Sequence, residues 1–107
     1  RVRLEGTAVE FEAPLAHAAP GERVQLAIRA GDILLATQRP AGLSARNVLP
    51  GRIVALEERG ALVRVEVDCG ARFQAHVTPG AVRSLRLAAD LPVWVVVKTH
   101  SCHLLAE

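Results

Sequence analysis

Apolar residues recur at every second position along much of this chain. From Leu62 to Asp68, Val63, Val65 and Val67 alternate with Arg64, Glu66 and Asp68. Successive side chains of an extended backbone point to opposite faces, so this run predicts a strand with one buried and one solvated face. Similar runs occupy Gly6–Phe11, Arg23–Arg29, Ile33–Thr37, Arg52–Glu57, Ala71–Val77, Val93–Lys98 and Cys102–Leu105. Turn formers separate them at Pro20-Gly21, Ala30-Gly31-Asp32, Pro50-Gly51, Arg59-Gly60 and Cys69-Gly70. Many short strands at even spacing predict an all-β barrel or sandwich. Leu43–Gly51 lacks the alternation and reads as a connecting loop. One segment predicts a helix. Thr78 is a good N-cap and Pro79 suits the first helical position, ahead of Ala81, Val82 and Leu85. A single short helix is expected over about Pro79–Leu85.

The pattern also contains a faint repeat. Gly21–Arg29 and Asp90–Lys98 both run from a turn into a β-run ending on a basic residue. A further β-run follows each, ending in Leu34-Leu35-Ala36 and Leu104-Leu105-Ala106. Either two amphipathic strands simply look alike, or the chain holds two related modules. On the second reading, residues 1–40 are a partial module and 41–107 a complete one, joined near Arg39–Gly42.

Composition narrows the function classes. The chain has 107 residues, half of them apolar, which is enough for one compact domain or two very small ones. It has no Met, so it reads as an excised domain rather than a whole gene product. No 18-residue apolar run is present, and Val93–Val97 is too short to cross a bilayer. The formal charge is only +2, with two Phe, one Trp and no Tyr. Single-strand nucleic-acid modules combine a basic groove with aromatic stacking platforms, so no nucleic-acid partner is expected. Trp94, set among valines, reads as core. A small anion needs only local positive charge, which this composition permits.

Candidate chemistry is sparse. Cys69 and Cys102 do not make a disulfide framework, and free thiols of a cytosolic protein are the simpler reading, with a single bridge left open. His100, Cys102 and His103 invite a metal reading. A structural zinc site needs four convergent ligands, and a strand would turn His103 away from the other two. No metal is expected, and Cys102 reads as a small core residue. No nucleophile, base and orienting group recur at a familiar spacing. No Gly-rich phosphate loop ending in Lys-Ser or Lys-Thr occurs, so no enzyme and no ATP hydrolysis are expected of this segment.

The most specific motif is Ser44-Ala45-Arg46-Asn47, followed by Val48-Leu49 and Gly51. In order after it come Ala75-His76-Val77-Thr78, Leu85-Arg86-Leu87 and Val95-Val96-Val97-Lys98-Thr99. This series, spanning about residues 42–106, resembles the molybdenum-binding "mop" or TOBE family. Ala27–Ile33 and Lys98–His103 resemble the C-terminal region of molybdate-importer ATPases within it. The resemblance implies OB-like β-barrel modules, one complete and one partial, that exchange elements with neighbours. It implies oxyanion sites at subunit seams, where Ser44, Ala45, Arg46 and Asn47 of one subunit face Thr78, Lys98 and Thr99 of another module.

The implied ligand is molybdate or tungstate, with no cofactor. The implied setting is a cytoplasmic regulatory domain, forming a homodimer and working with an ABC ATPase domain and its permease. The chemistry suits the residues. A tetrahedral dianion offers only acceptors, and hydroxyls, backbone amides, a Lys point charge and a helix N-terminus all favour it. Arg46 is expected to act mainly through its backbone amide, and His100 is a further candidate lining residue. One departure keeps an alternative open. Related sites often carry Ser where this chain has Ala81, which favours a TOBE appendage that binds no ion and serves dimer contacts or regulation.

Overall fold

The structure, a computed structural model, describes residues 2–13, 21 and 23–106. It is all-β with one short helix. The strands are β1 (Val2–Arg3), β2 (Glu10–Phe11), β3 (Val24–Ala27), β4 (Leu34–Ala36), β5 (Asn47–Arg59), β6 (Leu62–Asp68), β7 (Arg72–Val77), β8 (Pro92–Val97) and β9 (His103–Ala106). The helix α1 spans Pro79–Leu85, and 3-10 turns cover Ala30–Asp32 and Thr99–Ser101. Five antiparallel strands form the main sheet, in the order β4-β8-β5-β6-β7. Two small pairs, β1 with β2 and β3 with β9, accompany it.

β5 organises the sheet. Its first half pairs with β8, from Asn47↔Val97 to Arg52↔Pro92, and its second half with β6, from Arg52↔Asp68 to Arg59↔Leu62. The register shifts between Ile53 and Ala55 where the strand changes neighbours. Such a bulge bends a strand and increases its twist. Here the Ile53 amide donates to the Leu91 carbonyl, and the Ile53 carbonyl accepts from the Asp90 amide. The sheet curls until β7 lies against the Ala30–Asp32 turn that leads into β4, giving an OB-like barrel.

The alternation of β6 is realised as expected. Val63, Val65 and Val67 are buried, while Arg64 and Glu66 on the other face are half-exposed. They join Ile53, Ala75, Val93, Val95, Val97, Phe11 and Cys102 in one core, with the Phe11 and Phe73 rings 5.4 Å apart. α1 forms where Thr78-Pro79 predicts it. Thr78 Oγ1 accepts from the Ala81 amide at 3.1 Å, and Arg86 ends the helix in the left-handed region at φ 54°.

Three expectations need correction. Asn47–Gly51 is strand, not loop. Pro50-Gly51 looks like a turn, but Pro50 lies where β5 has a neighbour on one side only, a position that tolerates a missing amide. Gly51 serves close packing. A Cβ there would lie 2.6 Å from Cys69 Sγ and 2.8 Å from Val67 Cγ1. Gly6–Phe11 is mostly turn. Gly6 adopts φ 78°, and the Thr7 hydroxyl donates to the Leu4 carbonyl and accepts from the Val9 amide. Trp94 is only half-buried, with the Arg39 guanidinium 5.4 Å from its ring centroid.

The repeat appears as a β–turn–β unit. Residues 24–36 and 93–105 share the sequence of strand, 3-10 turn and strand. Arg29 (φ −70°, ψ 136°) matches Lys98 (φ −72°, ψ 147°), and Ile33 (φ −93°, ψ 123°) matches Cys102 (φ −93°, ψ 116°). The units pair with each other. Ala27↔His103 corresponds to Val96↔Leu34, and Gln25↔Leu105 to Trp94↔Ala36. A local pseudo-twofold therefore relates the two turns. Hydrogen bonding also crosses the junction expected near Arg39–Gly42, since β3 and β4 pair with β9 and β8.

Candidate oxyanion site

Strand register brings the motif residues together. Asn47 pairs with Val97, so the residues preceding Asn47 lie beside those following Val97. Leu34 pairs with Val96, so the Ala30–Asp32 turn approaches the same place from the other side. The result is an open groove of about 410 Å³. One wall is Leu43, Ser44 and Ala45, and the opposite wall is Gly31, Asp32 and Leu34. Val96, Lys98, His100 and Ser101 lie between them.

The donors around the groove suit a tetrahedral anion. Lys98 is exposed and is the chain's only lysine. It makes no ion pair among the described residues, unlike Arg23, Arg46, Arg59, Arg64 and Arg72. A Lys ammonium is a compact point charge, whereas the planar guanidinium fork of Arg suits planar or bidentate partners. Ser44 presents an exposed hydroxyl. The turn after Lys98 uses the amides of Ser101 (to Lys98 O, 3.0 Å) and Cys102 (to Thr99 O, 3.1 Å), which leaves the Thr99 and His100 amides unused by the turn. Thr99 Oγ1 is buried without a hydrogen-bond partner among the described residues. Leaving a buried polar atom unpaired costs about 1–3 kcal/mol, so this hydroxyl is a marked exception to the usual satisfaction of buried groups.

The remaining motif residues have other tasks. The Arg46 side chain turns away to Glu12, with Nε 3.5 Å from Oε2, both groups well exposed. Asn47 is 4% exposed. Its Oδ1 accepts from the Glu12 amide at 2.6 Å, and its Nδ2 donates to the Glu12 carbonyl at 2.9 Å and to Cys102 Sγ at 3.6 Å. Cys102 Sγ in turn donates to the Lys98 carbonyl at 3.6 Å. Burial pushes the Cys102 thiol pKa up, which keeps the donor proton in place. The Asn47 side chain is thus a clamp that ties the segment after β2 to the turn carrying Lys98, and only its backbone remains for a ligand. Thr78 is exposed and caps α1, and of the expected site residues Arg46, Asn47, Thr78 and Thr99 are absent from the groove lining, which Ser44, Ala45 and Lys98 share.

Sequence reasoning missed Gly31, Asp32, Leu34, Leu43 and Ser101 as groove residues. The signal that points to the first two is the repeat, which makes the Ala30–Asp32 turn the counterpart of Thr99–Ser101. Among the described residues, no three His, Cys, Asp or Glu side chains converge as metal ligands. Both cysteines are free thiols.

Comparison with known proteins shows the family and the fold. The TOBE domain family model matches residues 43–104. The molybdenum import ATP-binding protein ModC of Mesorhizobium japonicum is 41% identical over 100 residues, covering 92% of this chain and 27% of that protein. ModC of Rhizobium meliloti is 48% identical over 84 residues, covering 77% and 24%. The molybdate/tungstate import ATP-binding protein WtpC of Pyrococcus abyssi is 31% identical over 97 residues, covering 90% of this chain and 27% of that protein. The chain therefore spans about a quarter of the length of these relatives. Among solved structures, the cytoplasmic molybdate-binding protein ModG, with molybdate bound, superposes with a TM-score of 0.75 at 29% identity, over 84% of this chain and 66% of that one.

Proposed function

This chain belongs to the TOBE domain family, and from that premise we propose that it is a cytoplasmic oxyanion-binding regulatory domain of a molybdate importer, taking molybdate or tungstate in the groove beside Lys98. The observation that carries this reading is the meeting of Ser44 and Ala45 with Lys98 in one groove, through the Asn47↔Val97 register. Lys98 supplies the charge-assisted hydrogen bond, which is the strong kind. The Ser44 hydroxyl, the backbone amides of Ala45, Arg46 and Asn47, and the unused amides after Lys98 supply neutral donors. Thr99 lies on the turn beside the groove, and its backbone amide is one of those donors, while its own hydroxyl is buried. The names of the relatives support the ligand class.

The groove is open, and its lips carry Leu34 at 63% and Leu43 at 46% exposure. Large apolar side chains so exposed at a polar cleft favour coverage by a neighbouring subunit. In a homodimer that neighbour brings Thr78 and its helix end to the seam. The modules 1–40 and 41–107 are then related halves sharing strands. In the intact transporter the partners are an ABC ATPase domain and a permease, and the ligand biases the ATPase arrangement. A ligand shifts such an equilibrium only by its difference in affinity for the two arrangements.

A second reading, a dimerising TOBE appendage without a ligand, is favoured by Ala81 in place of a hydroxyl donor and by Asp32 in the groove wall. Calorimetry with molybdate, tungstate and sulfate separates the two. The oxyanion reading expects binding of either metal oxyanion that weakens about 10- to 100-fold in Lys98→Ala, as loss of one hydrogen bond to a charged group implies. Absence of heat with both metal oxyanions would leave the appendage reading standing.

A further inference from the structure

The two turns related by the pseudo-twofold share backbone geometry but not chemistry. Gly31 stands opposite His100 in the repeat, and Asp32 opposite Ser101. Both are three-residue 3-10 turns whose flanking residues have closely similar dihedral angles, so the fold accommodates either set of side chains. Both turns line the groove. Continuing the β4–β8 register beyond Leu34↔Val96 by two residues brings Asp32 level with Lys98. A carboxylate on the wall of an anion groove repels the ligand and partly cancels the lysine, so its place there needs a reason.

The balance of charges supplies one. Among the described residues, the charged or titratable side chains lining the groove are Asp32 on the first turn and Lys98 and His100 on the strand end and second turn. The Ser44–Asn47 loop adds only Arg46, which is turned to Glu12. With the imidazole neutral, Lys98 and Asp32 leave the groove with no net side-chain charge. With the imidazole protonated, the groove carries one positive charge. Histidine is the side-chain type that changes charge most readily around neutral pH.

Resting on the oxyanion reading above, we propose that Asp32 and His100 set the anion affinity of the groove, Asp32 lowering it and protonated His100 raising it, so that binding tightens on mild acidification. The linkage is reciprocal. An anion bound beside His100 favours the imidazolium, and so protons are taken up on binding. Asp32 acts as an affinity-limiting residue that keeps the groove empty at low ligand, while His100 gives it sensitivity to pH.

The test is calorimetry of the 107-residue chain with molybdate and with tungstate, at about pH 6 and about pH 8, on the wild type, His100→Gln and Asp32→Asn. Both substituted side chains are exposed in the structure, and matched thermal unfolding of the variants checks that each is folded. The wild type should bind about 3- to 10-fold more tightly at the lower pH, the range expected for one unit charge across a solvated groove. His100→Gln should bind equally at both, and Asp32→Asn should tighten binding about 3- to 10-fold at the higher pH. Binding that is independent of pH in the wild type, a pH response that survives His100→Gln, or an unchanged affinity in Asp32→Asn overturns this inference alone. Absence of binding in every variant overturns the oxyanion reading and this inference with it.

Discussion

The Asn47 side chain does its work away from the groove. Its amide satisfies both backbone groups of Glu12, and through Cys102 it reaches the carbonyl of Lys98. Replacing it with Ala leaves the Glu12 amide and carbonyl without those partners, and orphaned polar groups of this kind cost about 1–3 kcal/mol each way they are left unmade. Urea unfolding of Asn47→Ala should therefore give a loss of about 2 kcal/mol, and a loss well under 1 kcal/mol would contradict the clamp. Asn47→Asp should not rescue it, because a carboxylate accepts from the Glu12 amide but cannot donate to the carbonyl. The motif around Asn47 was legible in the sequence as a set of residues, yet their division of labour was not. Ser44 and Arg46 sit on the same loop, but one side chain faces the groove and the other pairs with Glu12. That division depends on the segment after β2, which lies 35 positions away from Asn47.

Elements with a local signature were the readable ones. Thr78-Pro79 announces α1, and the alternating valines announce β6, because caps and side-chain periodicity act within a few residues. β5 shows the opposite case. Its start at Asn47 is hidden by Pro50-Gly51, which reads locally as a turn. Glycine is needed there because β6 and the Cys69 turn crowd the strand, a contact made only in the folded sheet. Gly51→Ala would push a methyl group into Cys69 Sγ, Val67 Cγ1 and the Asp68 carbonyl, the last at 3.0 Å. Overpacking of this kind costs about 1–3 kcal/mol. A thermal melt should show a clearly lowered midpoint for Gly51→Ala, whereas an unchanged midpoint would mean that the strand crossing has room for a methyl group.

At the scale of the whole molecule, a curled sheet and a pseudo-twofold place one groove where three chain segments converge. Two of them, the Ser44 loop and the Lys98 turn, were visible as family motifs. The third, the Ala30–Asp32 turn, was visible only as half of a faint repeat, and its arrival at the groove follows from the β4–β8 pairing. An oxyanion bound in this groove would be located by the anomalous signal of tungsten in a crystal soaked with tungstate. A peak is expected within hydrogen-bonding reach of Lys98 Nζ and the Ser44 hydroxyl, flanked by the Thr99–Ser101 turn. A well-ordered crystal with no peak there, or with tungstate bound only elsewhere, would contradict the oxyanion reading.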